Sequence, residues 1–300
     1  GGNVVGIRAA ALKYFNRRPE QLSWAEAALL AVLPNAPALL YPGKNNTLLK
    51  QKRDGLLAKL YREGVMSEDS YHLALAEPLP EKKFDIPTVA PHLLAKAYRE
   101  KKGKVCPTYI DGRLQKKINE IVERHTALLS QNYIYNMAVL VAHVPTGEVR
   151  AYVGNSAPRK GSRGNDVDIV QAVRSSGSIL KPALYACMLQ SGFILPGTLV
   201  PDIPSRFGSY SPSNFNRDFK GVVPARQALA QSLNIPFVRL LKDYSYARFY
   251  DDLKQLGIRS LNRDADHYGL SLILGGAETS LWDICNLYGG MSAVSVSYTH

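Results

Sequence analysis

A proline-rich segment divides this chain into two parts that differ in predicted secondary structure, and it limits the fold more than any other feature. Residues 77–92 read EPLPEKKFDIPTVAPH, with four prolines among charged side chains. Proline fixes φ and donates no backbone hydrogen bond, so this composition favours an extended connector. We therefore expect at least two folded parts. A chain of 300 residues, 46% of them hydrophobic, is long enough to build a core in each.

The part before the connector is predicted to be helical. The motif S-W-A-E at 23–26 is a capping box ahead of an apolar run that Pro34 ends. A second amphipathic pattern predicts a helix over about 47–63, closed by a glycine, and a third predicts one over about 67–77, capped by its first serine.

The part after the connector mixes strand and helix patterns. NMAVLVAHVPTGEVRAYVGN (136–155) is two β-rich runs around a Pro-Thr-Gly turn, which predicts a hairpin. Helical periodicity returns after Ser178 and again in ARQALAQSLNIPFVRLL (225–241), with Gly, Pro, Ser and Tyr between them over 197–221. The whole chain is therefore predicted to be α+β, with an antiparallel sheet and a helical cluster in its second part.

The net charge of +12 is spread along the chain rather than gathered in one arm. No zinc-finger spacing, RNP-type motif or dense Lys/Arg cluster is present, so we expect no nucleic-acid partner. An anionic membrane surface fits the charge as well. Neither H-x-x-x-H nor H-E-x-x-H occurs, so no metal site is expected, and the three scattered cysteines are predicted to be small buried hydrophobes.

The segment RSSGSILKPALYACM (174–188) places a hydroxyl and an amine at the start of an apolar helix. The pattern S-x-x-K occurs once in the chain, at Ser178 and Lys181, and residues three apart share a helix face. Pro182 is tolerated in the first turn, so Ser178 is predicted at the helix N-terminus, where free N–H groups favour an oxyanion. Chance alone can produce so short a pattern. Lys181 can act as a base only if burial lowers its pKa, and the apolar residues available for this are Ile179, Leu180 and Leu184.

A second serine commonly accompanies such a pair in an S-x-N motif, and this chain has three matches, at 130–132, 232–234 and 260–262. Only Ser232 follows an apolar-faced helix and precedes a proline, where a turn can aim it into a cleft. We expect Ser130 and Ser260 to lie in solvated loops.

Several of these motifs together resemble a known family. GSILKP (177–182), SLN (232–234), PTGEVRAYVG and TYIDGRLQ (108–115) resemble the transpeptidase domain of class A, bifunctional penicillin-binding proteins. RSSGSILKPALY and GLSLILGGAETSLWDICNLYGGMSA are most similar to the 1C subtype. The stretch up to KRDGLLAKLYREGVMSED resembles the last part of that family's glycosyltransferase domain, so the resemblance extends over essentially the whole chain.

The resemblance implies an internal fragment of a longer protein. It assigns residues 1–76 to the C-terminal part of a peptidoglycan glycosyltransferase domain, 77–105 to a linker and 106–295 to an incomplete transpeptidase domain. The family's glycosyltransferase glutamates are expected before Gly1. Its K-[TS]-G strand, which supplies an oxyanion donor, is absent from the sequence and expected beyond it. Loss of one such donor typically costs about a hundredfold or more, so the fragment alone is expected to acylate poorly or to be inactive.

The last five residues, VSYTH (296–300), match the translation of a transposon end used in sequencing libraries. We interpret them as a non-native tail.

The resemblance also implies a mechanism. Ser178 is implied as the nucleophile on the D-Ala–D-Ala carbonyl of a peptidoglycan stem peptide and Lys181 as its base. Ser232 is implied to pass a proton to the departing D-alanine, and Asn234 to orient the lysine and the substrate amide. The Ser178 N–H would form half of an oxyanion hole, and β-lactam antibiotics would acylate the same serine.

The remaining expectations concern binding. Candidate substrate-binding residues are Gly177, Tyr210, Asn214 and Arg53; a solvated helix arginine is an equally good interpretation of Arg53. Expected partners are stem peptides, glycan strands, lipid II, β-lactams and an anionic membrane surface, at the periplasmic face of a bacterial inner membrane, with an anchor before Gly1. No cofactor is expected for the transpeptidase, and a divalent metal for glycosyl transfer is an open question.

Two other functions remain open. A catalytically incomplete scaffold of the same fold would bind without turnover. A soluble serine β-lactamase or D,D-carboxypeptidase shares the motifs but leaves the helical first quarter unexplained.

Overall fold

The structure is a computed structural model that describes residues 4, 6–35, 42–81, 83–85, 88–102 and 104–297. These residues fall into two compact units, the first ending at Thr88 and the second beginning at Val89. Among the helices in these ranges, none is both long and apolar enough to cross a membrane.

The first unit is helical, as predicted. Its helices are α1 (Ile7–Phe15), α2 (Trp24–Val32), α3 (Asn46–Arg62) and α4 (Glu68–Ala76). The capping box at the start of α2 is confirmed: the Glu26 N–H donates to Ser23 Oγ (3.1 Å), and the Ser23 N–H donates to Glu26 Oε2 (3.0 Å). Ser67 caps α4, also as predicted. These helices follow local signals in the sequence.

The first unit buries two small apolar clusters against α3. One cluster contains Leu29 and Leu49, and the other contains Ala28 and Leu57. Helices α2 and α3 supply residues to both clusters, so their packing organises the unit.

The second unit contains the remaining elements. Its helices are α5 (Pro91–Glu100), α6 (Gly112–Leu129), α7 (Lys181–Gln190), α8 (Ala225–Ala230), α9 (Asn234–Tyr244), α10 (Tyr246–Gln255), α11 (Ala265–Tyr268) and α12 (Leu281–Ser297). Its strands are β1 (Val139–Ala142), β2 (Val149–Val153), β3 (Arg174–Ser175), β4 (Leu199–Asp202), β5 (Gly221–Pro224) and β6 (Glu278–Thr279).

The predicted hairpin is confirmed. Strands β1 and β2 pair antiparallel, with Val139 opposite Val153. The turn between them closes with the Gly147 N–H donating to the His143 carbonyl (2.8 Å). Gly147 has φ 69°, which explains the glycine of the Pro-Thr-Gly signal.

The predicted combination of helices and antiparallel strands in the second part is confirmed. Within the described residues the strands form three separate two-stranded antiparallel sheets, β1–β2, β3–β6 and β4–β5. Strands β3 and β6 are two residues long, and they hold a turn in place rather than building a layer.

The second unit contains a helical core. Leu184 of α7, Phe237 and Leu241 of α9 and Phe249 of α10 are fully buried in one cluster. The N-termini of α7 and α9 carry the predicted catalytic residues, so this core fixes where those residues lie.

The structure also bears on the predicted domain ranges. Helix α5 lies within 77–105, the range assigned to the linker, and it belongs to the compact unit that starts at Val89. The boundaries at 76, 105 and 295 stay predictions. Residues 298–300 of the predicted tail lie outside the described residues.

Candidate active site

Ser178 lies in a turn just before α7, and the helix itself begins at Lys181. The turn is closed by the Ile179 N–H donating to the Ser176 carbonyl (3.2 Å) and the Lys181 N–H donating to the Ser178 carbonyl (3.1 Å). Ser178 is exposed, and neither its hydroxyl nor its N–H has a hydrogen-bond partner among the described residues. A nucleophile and an oxyanion donor are therefore both accessible at one residue.

The turn that contains Ser178 is supported by a glycine that is distant in sequence. Ser175 Oγ donates to the Gly275 carbonyl (2.7 Å), and the Ser176 N–H donates to the Ala277 carbonyl (2.9 Å). A Cβ on Gly275 would lie 2.9 Å from the Gly177 nitrogen, so the two backbones touch. Only a glycine permits this approach. The role of Gly275 was missed from the sequence because no local pattern marks it.

The Lys181 amine is buried among oxygen acceptors. The side chain is 1% exposed, and Nζ donates to Asn234 Oδ1 (2.7 Å), the Ser232 carbonyl (2.8 Å) and Ser232 Oγ (3.2 Å). Burial lowers the pKa of Lys181 to about 8. A lysine with this pKa is partly neutral near physiological pH and can take a proton, as a general base must.

Among the described residues, Lys181 Nζ makes no hydrogen bond to Ser178, and its donors point to Ser232 and Asn234. The predicted apolar shell is correct for Leu180 and Leu184, both fully buried. It is wrong for Ile179, which is 40% exposed because it lies in the turn before the helix begins.

Ser232 occupies the turn between α8 and α9, as predicted. Its φ of 51° lies in the left-handed region, and its N–H donates to the Leu229 carbonyl (2.9 Å). Such backbone strain in a non-glycine residue is most often found at functional sites. Of the other two motif matches, Ser130 is half-buried in a short helical turn, and Ser260 Oγ is buried with no partner in the described residues. The expectation of a solvated Ser260 is wrong.

Asn234 begins α9 and is fixed by the segment before it. Its Nδ2 donates to the Ser213 carbonyl (2.8 Å), and its N–H donates to Asn214 Oδ1 (2.9 Å). Asn214 is 3% exposed, so its side chain cannot face an open cleft. We assign Asn214 a positioning role in place of the predicted substrate contact.

Gly177 and Tyr210 lie in different settings. Gly177 (φ 54°) is part of the Ser178 turn. Tyr210 is half-buried against the helical core, its backbone pairs with Phe207, and burial raises the pKa of its hydroxyl. Their roles in substrate binding stay predictions.

Arg53, in the first unit, is neither solvated nor open to a substrate. It is 1% exposed, and its guanidinium donates to the carbonyls of Glu77 (2.6 Å) and Leu75 (3.4 Å) and pairs with Asp54 (2.8 Å). Leu75 and Glu77 lie at the end of α4, where carbonyls lack helical partners. Arg53 therefore caps α4, and the prediction of a substrate-binding role is corrected.

Other candidate groups make no second site. The three cysteines were predicted to be buried, but the structure shows them half-buried. In the described ranges, no three His, Cys, Asp or Glu side chains lie together as metal ligands would. His143 lies in the hairpin turn, where Nδ1 is 3.0 Å from Thr146 Oγ1.

The arrangement at the start of α7 and α9 is suited to acyl transfer. It combines an accessible hydroxyl, a free backbone N–H and a buried amine that can lose its proton. The second hydroxyl, Ser232, touches that amine and can carry a proton to a leaving group. These are the groups that serine acyl transfer with a lysine base requires.

Comparison with known families agrees. The family described as penicillin binding protein transpeptidase domain matches residues 137–299, more than half of the chain, and the family described as transglycosylase matches residues 1–61. The chain belongs to the penicillin-binding protein family, in the class A order with the transglycosylase region ahead of the transpeptidase domain.

Curated relatives show the same order over nearly the whole chain. Penicillin-binding protein 1C of Escherichia coli (strain K12) is 34% identical over 96% of this chain and 37% of its own length. Penicillin-binding protein 1F of Bacillus subtilis (strain 168) is 28% identical over 93% of this chain and 40% of its own length. The chain thus spans well under half of the length of these relatives.

Solved structures share the fold. Penicillin-binding protein 1A from Haemophilus influenzae matches with a TM-score of 0.61 and 17% identity, covering 95% of this chain and 58% of the other. The penicillin-binding protein PonA1 from Mycobacterium tuberculosis matches with a TM-score of 0.52 and 20% identity, covering 68% of this chain and 56% of the other.

Proposed function

We propose that the second unit is the catalytic part of a D,D-transpeptidase that crosslinks peptidoglycan stem peptides and is acylated by β-lactam antibiotics. The observation that carries the proposal is the buried Lys181 amine. The pKa of this amine is lowered to about 8, and the amine contacts Ser232 and Asn234. Lys181 follows the exposed Ser178 by three residues. Family membership supports the same chemistry.

In the proposed reaction Ser178 Oγ attacks the carbonyl of the penultimate D-alanine while Lys181 Nζ takes the hydroxyl proton. The Ser178 N–H stabilises the oxyanion of the tetrahedral intermediate. Collapse breaks the peptide bond, Ser232 passes a proton to the departing D-alanine amine, and an acyl ester remains on Ser178. Attack by an amine of a neighbouring strand forms the crosslink and returns the proton to Ser178. The proposed steps invoke no cofactor.

We further propose that the first unit belongs to a glycosyltransferase that acts on lipid II and glycan strands. The match of residues 1–61 to the transglycosylase family supports this assignment. Such substrates place the parent protein at the periplasmic face of a bacterial inner membrane, and the net charge of +12 suits an anionic membrane surface.

Covalent labelling with a fluorescent penicillin tests the transpeptidase proposal. We expect the parent protein to carry one penicilloyl group per chain, located on Ser178 by peptide mass spectrometry and absent from Ser178→Ala. Labelling at another residue, or equal labelling of Ser178→Ala, would contradict the proposed nucleophile.

A scaffold that binds without turnover is the second candidate. The missing hydrogen bond between Ser178 and Lys181 favours it, since the nucleophile is not yet activated in this structure. A folded chain that binds penicillin reversibly and forms no covalent adduct would establish the scaffold.

A further inference from the structure

A buried carboxylate is connected to Lys181 through the hydrogen bonds of two asparagines. Asp202, at the end of β4, is fully buried, and within the described ranges no cation pairs with it. Its Oδ1 accepts from Asn214 Nδ2 (2.8 Å), and its Oδ2 accepts from the Lys220 N–H (3.1 Å). Burial of an unpaired carboxylate is costly, so a role beyond filling space is expected of it.

The carboxylate fixes the orientation of the Asn214 amide. Asn214 Nδ2 donates to Asp202 and to the Asp218 carbonyl (2.9 Å), and both of these partners only accept hydrogen bonds. Asn214 Oδ1 is thereby turned toward α9. There it accepts from the N–H of Asn234 (2.9 Å) and of Ile235 (3.4 Å). A flipped amide would set acceptor against acceptor at Asp202 and the Asp218 carbonyl, and donor against donor at the N–H groups of α9.

Asn214 in turn fixes Asn234 against the lysine. Asn214 holds the Asn234 main chain, while the adjacent Ser213 carbonyl takes Asn234 Nδ2 (2.8 Å). With both of these groups engaged, Asn234 Oδ1 is left for Lys181 Nζ (2.7 Å). The position of this acceptor is therefore set by residues 20 or more positions earlier in the chain.

No competing charge surrounds the amine. Helix α9 presents Asn234 and the Phe237 ring, 5.7 Å from Nζ, and burial alone lowers the pKa of Lys181. Asp252 and Arg248 of α10 act instead on Cys187, at the other end of α7. In the part of the chain that the structure describes, Lys181 has no ion pair on α7, α8, α9 or α10.

We propose that Asp202 and Asn214 are positioning residues for acyl transfer: the carboxylate of Asp202 orients Asn214, and Asn214 holds Asn234 against Lys181 Nζ. This inference rests on the proposed reaction at Ser178. Neither residue contacts the reacting atoms, and neither belongs to the S-x-x-K or S-x-N motif.

The test is Asp202→Asn, which keeps the shape of the side chain but turns one acceptor into a donor. That donor faces either Asn214 Nδ2 or the Lys220 N–H, so the chain of oriented groups breaks. We expect the rate of penicillin labelling to fall about tenfold, the size of one buried hydrogen bond left unsatisfied, with unchanged reversible binding. We also expect the pKa of Lys181 to fall, because a displaced Asn234 stabilises the ammonium less. The lysine Nζ signal in a ¹⁵N NMR titration measures it.

Asp283→Asn is the matched control. Asp283 is also a buried carboxylate that accepts a backbone N–H, that of Arg259 (3.3 Å), and it lies outside this network. We expect it to lower thermal stability but to leave the Lys181 titration and the labelling rate unchanged. If Asp202→Asn behaves like Asp283→Asn in both readouts, the positioning role is wrong.

The double exchange Asp202→Asn with Asn214→Asp completes the test. It restores an amide-to-carboxylate hydrogen bond and an acceptor for the Asn234 N–H, so partial recovery of the titration and the rate is expected. No recovery in a folded double variant contradicts the proposal. If Asp202→Asn does not fold, Asn214→Asp alone is titrated, and an unshifted Lys181 overturns the proposal. A parent protein that never acylates refutes the proposed function, while the NMR titration still decides the coupling.

Discussion

Two buried cations, one in each unit, show how similar burial leads to different roles. Arg53 and Lys181 are both 1% exposed, and each donates to oxygen atoms at the end of a helix or turn. A guanidinium keeps its proton in proteins and offers a rigid fork of donors, so Arg53 acts as a permanent clamp on α4. An ammonium shifts its pKa readily when buried, and Lys181 therefore becomes a group that can exchange a proton.

The hydrogen-bond partners of the two cations also differ, and the difference agrees with these two roles. Arg53 contacts two carbonyls and the Asp54 carboxylate, which together stabilise a fixed positive charge. Lys181 contacts one carbonyl, one hydroxyl and one amide oxygen, all of them neutral. Neutral acceptors hold the amine in place and leave its proton removable. Four experiments follow, the largest expected effect first.

Lys181→Arg makes the two cations alike. The charge and the donors remain, but a guanidinium cannot accept the serine proton, so covalent penicillin labelling should fall roughly a thousandfold or more. Labelling is followed by intact-protein mass spectrometry, and circular dichroism checks that the helices persist. Undiminished labelling in a folded variant would remove Lys181 as the base.

Gly275→Ala is expected to displace the nucleophile Ser178 and to leave Lys181 in place. It therefore tests the position of the nucleophile separately from that of the base. The new Cβ would lie 2.6 Å from Ser175 Oγ and 2.9 Å from the Gly177 nitrogen, at a residue with φ 105°. Since misplacement of a reacting group by about 1 Å can cost about a hundredfold, we expect a loss of labelling of that order. The control Gly289→Ala has no atom within 4 Å of its new Cβ and should label normally. Equal rates for the two variants would show that Gly275 does not position Ser178.

The pH dependence of labelling distinguishes a switchable cation from a permanent one. The neutral amine is the active form, so below pH 8 the rate should fall about tenfold per pH unit, and it should level off above the pKa of about 8. This pKa lies below the ordinary value of 10.5. The burial therefore also destabilises the folded chain below pH 8, and this cost disappears as the pH rises to 10.5. A labelling rate that is flat from pH 6 to 9, while the fold persists, would contradict the assignment.

Arg53→Lys is the converse exchange and has the smallest expected effect. Lysine loses the fork that spans Leu75, Glu77 and Asp54, so the free energy of unfolding should drop by about 1–2 kcal/mol, measured by urea denaturation. Labelling at Ser178 should be unchanged. Arg62→Lys on the same helix is the control: Arg62 is exposed, its guanidinium makes one long bond to the Ala58 carbonyl (3.3 Å), and almost no change in stability is expected. A loss of labelling in Arg53→Lys would reveal a functional role that the structure does not indicate.

Much of the fold could be predicted from the sequence wherever the signal is local. The capping box at Ser23, the cap at Ser67 and the hairpin turn at Gly147 each involve residues within a few positions, so spacing alone defined them. The division of the described strands into three small sheets could not be predicted, because strand pairing such as that of β3 with β6 joins residues about a hundred positions apart.

For the site, the sequence by itself predicted which groups would carry the chemistry. Two short motifs contain these groups, and their residue types and spacing can be recognised from the sequence alone: Ser178 with Lys181, and Ser232 with Asn234. The tertiary structure alone decided that Arg53 is a clamp, that Asn214 is buried and that Gly275 supports the turn. The physical reason is the same in each case: burial and hydrogen-bond partners depend on contacts between distant segments. Such contacts leave no periodicity or cap in the local sequence.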